Sequence, residues 1–150
     1  MQNITPRFSF RQLALACITC VYFVSFFNYS QWNKGAIIAG GDSMGYYLYL
    51  PSIFIHHDIV SLKQTAHTLF SYNAYPPSNN SPCGILECYV TPTGNNVIKY
   101  TIGAAILQFP FFATAHAIAY IGGYKTDGFS LPYIFMNCLS ILVYSLLGLY

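Results

Sequence analysis

The chain alternates between long apolar runs and polar stretches. The run from Leu13 to Tyr29 carries no charged residue, and two further uncharged runs occupy residues 100–121 and 131–150. Each run approaches the roughly 20 residues that an α-helix needs to cross a hydrocarbon core of about 30 Å. The pattern predicts an all-α membrane protein with about three transmembrane helices, at 13–29, 100–121 and 131–150.

Positive charge predicts which side of the membrane each polar stretch occupies. Residues 1–12 form a leader that carries Arg7 and Arg11 and no acid. Because positive residues mark the cytoplasmic side, we expect a cytoplasmic N-terminus. The large loop 30–99 then lies on the outer side, and the short turn 122–130 is cytoplasmic. The expected location is the cell (inner) membrane, with several passes.

The composition agrees with a membrane protein. Hydrophobic residues make up 55% of the chain and charged residues 7%, whereas soluble domains carry about 25% charged residues. This excludes an ordinary soluble enzyme and a disordered chain. The net charge is +2 and the six Lys and Arg residues are scattered, which argues against a nucleic-acid-binding protein.

The first and the last apolar runs each lead to an expectation about the ends of the chain. The third run reaches the last residue without a polar tail, so we expect the chain to be a fragment of a larger multi-spanning bundle. The first run could instead be a cleaved leader, with a mature N-terminus near Gln31. An uncleaved helix is favoured for two reasons. The run is longer than the apolar core of a signal peptide, which usually has about 7–15 residues, and no small-residue cleavage site follows Tyr29.

The outer loop contains two kinds of segment. Aromatic and aliphatic residues recur near helical spacing from Tyr46 to His57, which predicts interfacial helices with rings at headgroup depth. Pro51 is expected to end one short helix or to begin another. Ser61 to Phe70 predicts a further short helix. Residues 73–96, rich in Pro and Asn, predict an irregular exposed segment.

Asp42 is the candidate catalytic residue of the loop. It follows a double glycine and precedes the aromatic helix, which places it near the bilayer surface. An acid there could take a proton from an acceptor hydroxyl beside a lipid-anchored donor, and partial desolvation would make it a stronger base. The alternative is that Asp42 only caps a helix, since Asp is a preferred N-cap residue.

Three other polar groups have both a functional and a structural interpretation. His56, His57 and Asp58 could bind a metal, but adjacent helical residues point in different directions. We therefore favour the structural interpretation, in which these residues end a helix. His116 could face a cavity, or it could bond to a neighbouring helix in the core. Lys99 could meet a phosphate headgroup or extend to the interface as a helix-end lysine. No cofactor is identified, and a requirement for a divalent metal is left open.

The cysteines divide in the same way. Cys17 and Cys20 lie in the first apolar run, where they are interpreted as packing residues rather than a redox pair. Cys83 and Cys88 lie in a polar stretch and could form a disulfide if it faces an oxidising compartment. The sequence leaves this pairing open.

Two segments carry a family resemblance. Residues 41–51, GDSMGYYLYLP, followed by FIHHD at 54–58, resemble the first outer loop of bacterial integral-membrane glycosyltransferases of the GT-C fold, of the protein-mannosyltransferase and aminoarabinose-transferase type. Residues 99–112, KYTIGAAILQFPFF, with Ala115 and His116, resemble the start of their second membrane helix. The resemblance covers most of the chain from Leu13 onward.

The resemblance implies a transferase. Such enzymes move a sugar from a polyprenyl-phosphate donor in the membrane lipid to an acceptor on the outer face. In that family an acid in this loop serves as the catalytic base or orients the acceptor, and Asp42 is the matching position. The chain departs from the pattern at Ser43, where many relatives carry a second acid, and it lacks the later spans. We therefore expect the segment to be inactive alone. The alternative is a small non-enzymatic multi-spanning membrane protein, such as an assembly subunit or a transporter fragment.

Overall fold

The computed structural model describes residues 9–29, 41–72 and 88–148. Helices dominate these residues, and three of them are long and apolar enough to cross a membrane. This confirms the prediction of a membrane protein built mainly from helices. The sides of the membrane assigned to the leader, the loop and the turn remain predictions.

The first long helix, α1, runs from Phe10 to Tyr29. It begins earlier than the predicted Leu13 because Ser9 and Gln12 form a capping box. The Ser9 amide donates to Gln12 Oε1 over 3.0 Å, and the Gln12 amide donates to Ser9 Oγ over 3.3 Å. This reciprocal pair satisfies two amides that a helix start otherwise leaves unpaired. Part of the predicted polar leader is therefore the first turn of α1.

Three short helices form the described part of the loop before residue 73. They are α2 (Gly41–Tyr47), α3 (Tyr49–Phe54) and α4 (Lys63–Ser71). Pro51 lies in the first turn of α3, where a missing amide hydrogen removes no helical bond. The predicted break near Pro51 and the predicted helix at 61–70 are both found.

A short hairpin corrects the prediction of an irregular segment. Strands β1 (Cys88–Val90) and β2 (Asn96–Ile98) pair antiparallel, with Tyr89 opposite Val97. β-Branched and aromatic residues in both strands favour pairing, and the connecting residues 91–95 close with a 2.8 Å bond from the Thr91 amide to the Asn95 carbonyl. The described residues therefore include one small sheet within the predicted all-α fold; residues 73–87 lie outside the described residues.

Helices α5 (Gly103–Ile121) and α6 (Leu131–Gly148) form the main helical pair. Ala105, Ala115 and Ala119 are buried on α5, and small residues such as these let membrane helices pack closely. Ring contacts between Phe112 and Tyr133, at 5.3 Å, tie the two helices together. Helix α1 meets α6 through Phe26 and Phe135, whose ring centroids are 5.5 Å apart.

The core lies where α2 and α3 pack against α5 and the turn that follows it. Met44, Tyr47 and Leu48 are at most 1% exposed. The rings of Tyr47 and Phe112 lie 6.1 Å apart, and those of Phe54 and Phe109 lie 4.8 Å apart. The break between α2 and α3 at Leu48 is thus covered by protein. The loop helices are an integral part of the core.

Candidate functional site

Asp42 lies in the first turn of α2 and contacts the residues just before α5. Its Oδ1 accepts a short hydrogen bond from the Tyr100 hydroxyl. The Asp42 side chain is exposed, so the described residues do not provide the partial desolvation that the sequence suggested. Its carboxylate has a specific partner far along the chain, which a simple helix cap would not need.

Two other tyrosines hold Tyr100 in place. The Tyr49 hydroxyl donates to the Tyr100 carbonyl over 2.6 Å, and the ring of Tyr46 lies 4.6 Å from the ring of Tyr100. Because α2 and α3 are consecutive, Tyr46 and Tyr49 reach Tyr100 from one short stretch of chain. The backbone bond and the ring contact fix Tyr100 beside Asp42 without using the carboxylate of Asp42.

The electrostatics of the pair follow from these contacts. The hydrogen bond to Asp42 raises the pKa of the Tyr100 hydroxyl, because ionised Tyr100 would face the carboxylate. Lys99 acts in the opposite sense, and its Nζ lies 4.9 Å from the centroid of the Tyr100 ring. The Tyr100 hydroxyl therefore stays protonated at neutral pH and serves Asp42 as a hydrogen-bond donor.

An apolar groove of about 260 Å³ lies between α3 and the first half of α5. Two residues of its lining are close in sequence to the tyrosines described above: Leu50 directly follows Tyr49, and Ile102 is two residues after Tyr100. The groove is lined by Leu50, Ile53, Phe54, Ile102, Ala105, Ile106 and Phe109. The lining of this groove is therefore purely apolar, and it lies close in sequence to the tyrosines that contact Asp42.

The residues considered for metal binding have structural partners. His56 Nε2 lies 3.2 Å from the Asp127 carbonyl oxygen. Asp58 accepts bonds from the amide and the hydroxyl of Thr65, over 3.0 and 2.5 Å, and so holds the first turn of α4. Among the described residues, no three His, Cys, Asp or Glu side chains come together as a metal site. His56 thus contacts the turn after α5, and Asp58 holds the start of α4.

His116 forms the bond that its structural interpretation predicts. Its Nδ1 lies 2.6 Å from the hydroxyl of Tyr133 on α6. Cys17 and Cys20 are free and exposed on α1, so packing within the described residues does not explain them. Cys83 lies outside the described residues, and with it the question of a disulfide to Cys88.

A second polar cluster, around Asp127, was not identified from the sequence. Its Oδ1 accepts bonds from the amides of Phe129 and Ser130, over 2.9 and 3.1 Å, ahead of α6. Its Oδ2 accepts a 2.5 Å bond from the Tyr72 hydroxyl at the end of α4. The short side chain of Asp in a turn was a signal for the local bonds, but nothing in the sequence indicated Tyr72.

Tyr100 was also not identified from the sequence as a partner of Asp42. It marked only the boundary of a predicted helix, whereas the structure places it outside α5 and against Asp42. Comparisons with protein-family models, curated proteins and solved structures found no match for this chain. The glycosyltransferase resemblance therefore stands on the sequence segments that carry it.

Proposed function

We propose that the chain is the N-terminal segment of a GT-C-type membrane glycosyltransferase. It would move a sugar from a polyprenyl-phosphate donor to an acceptor on the outer membrane face. The observation that supports this best is the exposed carboxylate of Asp42, bonded to Tyr100, two residues along the chain from Ile102 in the lining of the apolar groove between α3 and α5. Such a pairing suits a reaction in which one substrate carries a long apolar chain and the other carries a hydroxyl group.

In the proposed reaction, Asp42 accepts the proton of the acceptor hydroxyl. The acceptor oxygen forms a bond to the anomeric carbon as the bond from that carbon to the phosphate oxygen breaks, and the polyprenyl phosphate leaves with the electron pair. A positioned base contributes about 10²–10⁴-fold to such a step. The Tyr100 hydroxyl occupies Asp42 Oδ1, so the acceptor hydroxyl would use the other oxygen or displace Tyr100.

The test replaces Asp42 in the natural gene product, including any sequence that follows Tyr150. Membranes that contain it are supplied with a panel of radiolabelled polyprenyl-phosphate sugars, and transfer to endogenous acceptors is measured. We expect Asp42→Asn to lower transfer by at least about 100-fold while the protein level in the membrane is unchanged. Lys63→Gln, at an exposed position on α4, is the charge-removing control.

Tyr100→Phe separates the two roles of the Asp42–Tyr100 pair. This variant removes the hydrogen bond and keeps the carboxylate, so we expect it to retain more transfer than Asp42→Asn. Equal loss in both variants would mean that Asp42 acts by holding Tyr100. Normal transfer by Asp42→Asn would refute its role as a base. No transfer by the unmodified protein with any donor would favour the non-enzymatic alternative.

A further inference from the structure

The turn after α5 touches the loop helices directly. Pro51 packs so closely on Gly128 that a Cβ added at Gly128 would lie 2.7 Å from the Pro51 Cβ. Tyr72 and His56 bond to Asp127, through its carboxylate and its carbonyl. The predicted topology places this turn and the loop on opposite sides of the membrane, so these contacts bear on the path of the chain.

One turn of α3 contacts both the chain just before α5 and the turn that follows α5. Tyr49 donates to the carbonyl of Tyr100, just before α5, and Pro51, two residues further on, packs on Gly128 after α5. Two residues of an α-helix are separated by about 3 Å of axial rise. The hydrocarbon core is about 30 Å thick. Even with the reach of a tyrosine side chain, one helical turn is a poor bridge across that distance.

A second short bridge joins the hairpin to the turn. The Val60 carbonyl accepts a 3.2 Å bond from the amide of Asn96 in β2, and His56 lies against Asp127. From His56 to Val60 the chain advances four residues, which extend to at most about 14 Å. The segment that joins the hairpin to the turn is therefore shorter than half the thickness of the hydrocarbon core. This segment is His-His-Asp-Ile-Val, and α4 beyond it exposes Lys63. A charged side chain at mid-membrane is strongly unfavourable.

We infer that the turn 122–130 lies on the same side of the membrane as the loop helices and the β1–β2 hairpin. Helix α5 then begins and ends on one side. The α5–α6 pair rests in the membrane interface, with one flank covered by α2 and α3 and the other facing lipid. Exposed apolar residues elsewhere on the pair, such as Leu107, Ile118 and Ile141, would then meet lipid. This inference does not depend on the proposed function.

The experiment uses single cysteines in the full chain after replacement of its five native cysteines. Thr93→Cys places a thiol in the hairpin and Thr126→Cys places one in the turn, both at exposed positions. Spheroplasts of an expressing bacterial host are treated with a membrane-impermeant maleimide before or after lysis. We expect both thiols to show the same sidedness, either labelled in intact spheroplasts or only after lysis.

Opposite sidedness of the two thiols would overturn the inference. A second measurement checks that the contact exists in the membrane: with His56→Cys and Asp127→Cys in one chain, a short bifunctional maleimide should link the two thiols. A proteolytic cut between these positions then leaves the fragments joined. Absence of the link in intact membranes would also count against the inference, because the bridge on which it rests would be missing.

Discussion

The hydroxyl of Tyr47 donates to the carbonyl of Gly128 over 2.6 Å. This buried bond joins the end of α2 to the turn between α5 and α6, and Tyr47 is only 1% exposed. The donor and the acceptor lie in segments that the hydrophobic pattern assigned to different sides of a membrane. The bond therefore helps to determine how the loop sits on the helical pair.

Replacement of Tyr47 by Phe should destabilise the fold. The ring would still fill its place beside Phe112 and Phe129, but the buried Gly128 carbonyl would lose its donor. An unsatisfied buried group costs about 1–3 kcal/mol. We expect the free energy of unfolding in detergent micelles to fall by that amount in a denaturant titration. Tyr124→Phe, at an exposed position, is the matched control and should change little.

Gly128 should tolerate substitution less well than Gly123. Both have positive φ, +87° and +70°, so alanine is strained at either position. At Gly128 the new Cβ would also meet the Pro51 Cβ at 2.7 Å, whereas nothing lies within 4 Å at Gly123. We expect Gly128→Ala to lower the midpoint of thermal unfolding clearly more than Gly123→Ala. Equal effects would show that backbone strain alone sets the cost.

Alkaline pH should destabilise the fold through Tyr72. The pKa of the Tyr72 hydroxyl is raised far above its ordinary value. Burial is the largest cause, and the hydrogen bond to Asp127 is the second. The unfolded chain releases this proton near pH 10, while the folded chain still holds it. The folded state then binds more protons, so the free energy of unfolding falls as the pH rises above about 10.

Unfolding measured between about pH 8 and pH 11 tests this linkage. In Tyr72→Phe the decline should be shallower than in the unmodified chain. The hydroxyl of Tyr100, whose pKa is raised by its bond to Asp42, contributes in the same direction, so some decline should persist. An unchanged slope in Tyr72→Phe would show that its proton is released equally in both states.

The bond between His116 and Tyr133 should couple α5 to α6. A double-mutant cycle with His116→Phe, Tyr133→Phe and the double variant isolates this pair from ring packing. Side-chain hydrogen bonds between membrane helices contribute about 0.6 kcal/mol on average and up to about 1.7. We expect a coupling energy in that range, measured by detergent-induced unfolding. A coupling near zero would mean that the pair only fills space.

The sequence by itself determined the class of the protein and the positions of most helices. Long uncharged runs must avoid water, so α1, α5 and α6 follow from composition alone. The break before Pro51 was predictable because proline favours the first turn of a helix. The short helix after Ser61 was also predictable from the local sequence. The hairpin was overlooked because Pro92 and Gly94 read as a loop, although the flanking residues favour strands.

The tertiary structure decided which polar groups meet. Asp42 was recognisable as an unusual acid in the loop, but its partner Tyr100 is distant in sequence, as Tyr72 is from Asp127 and Tyr47 from Gly128. Hydrophobic periodicity describes how each segment buries its own apolar face. It contains no information about which hydroxyl reaches which carboxylate or carbonyl, because that depends on how separately folded segments pack together.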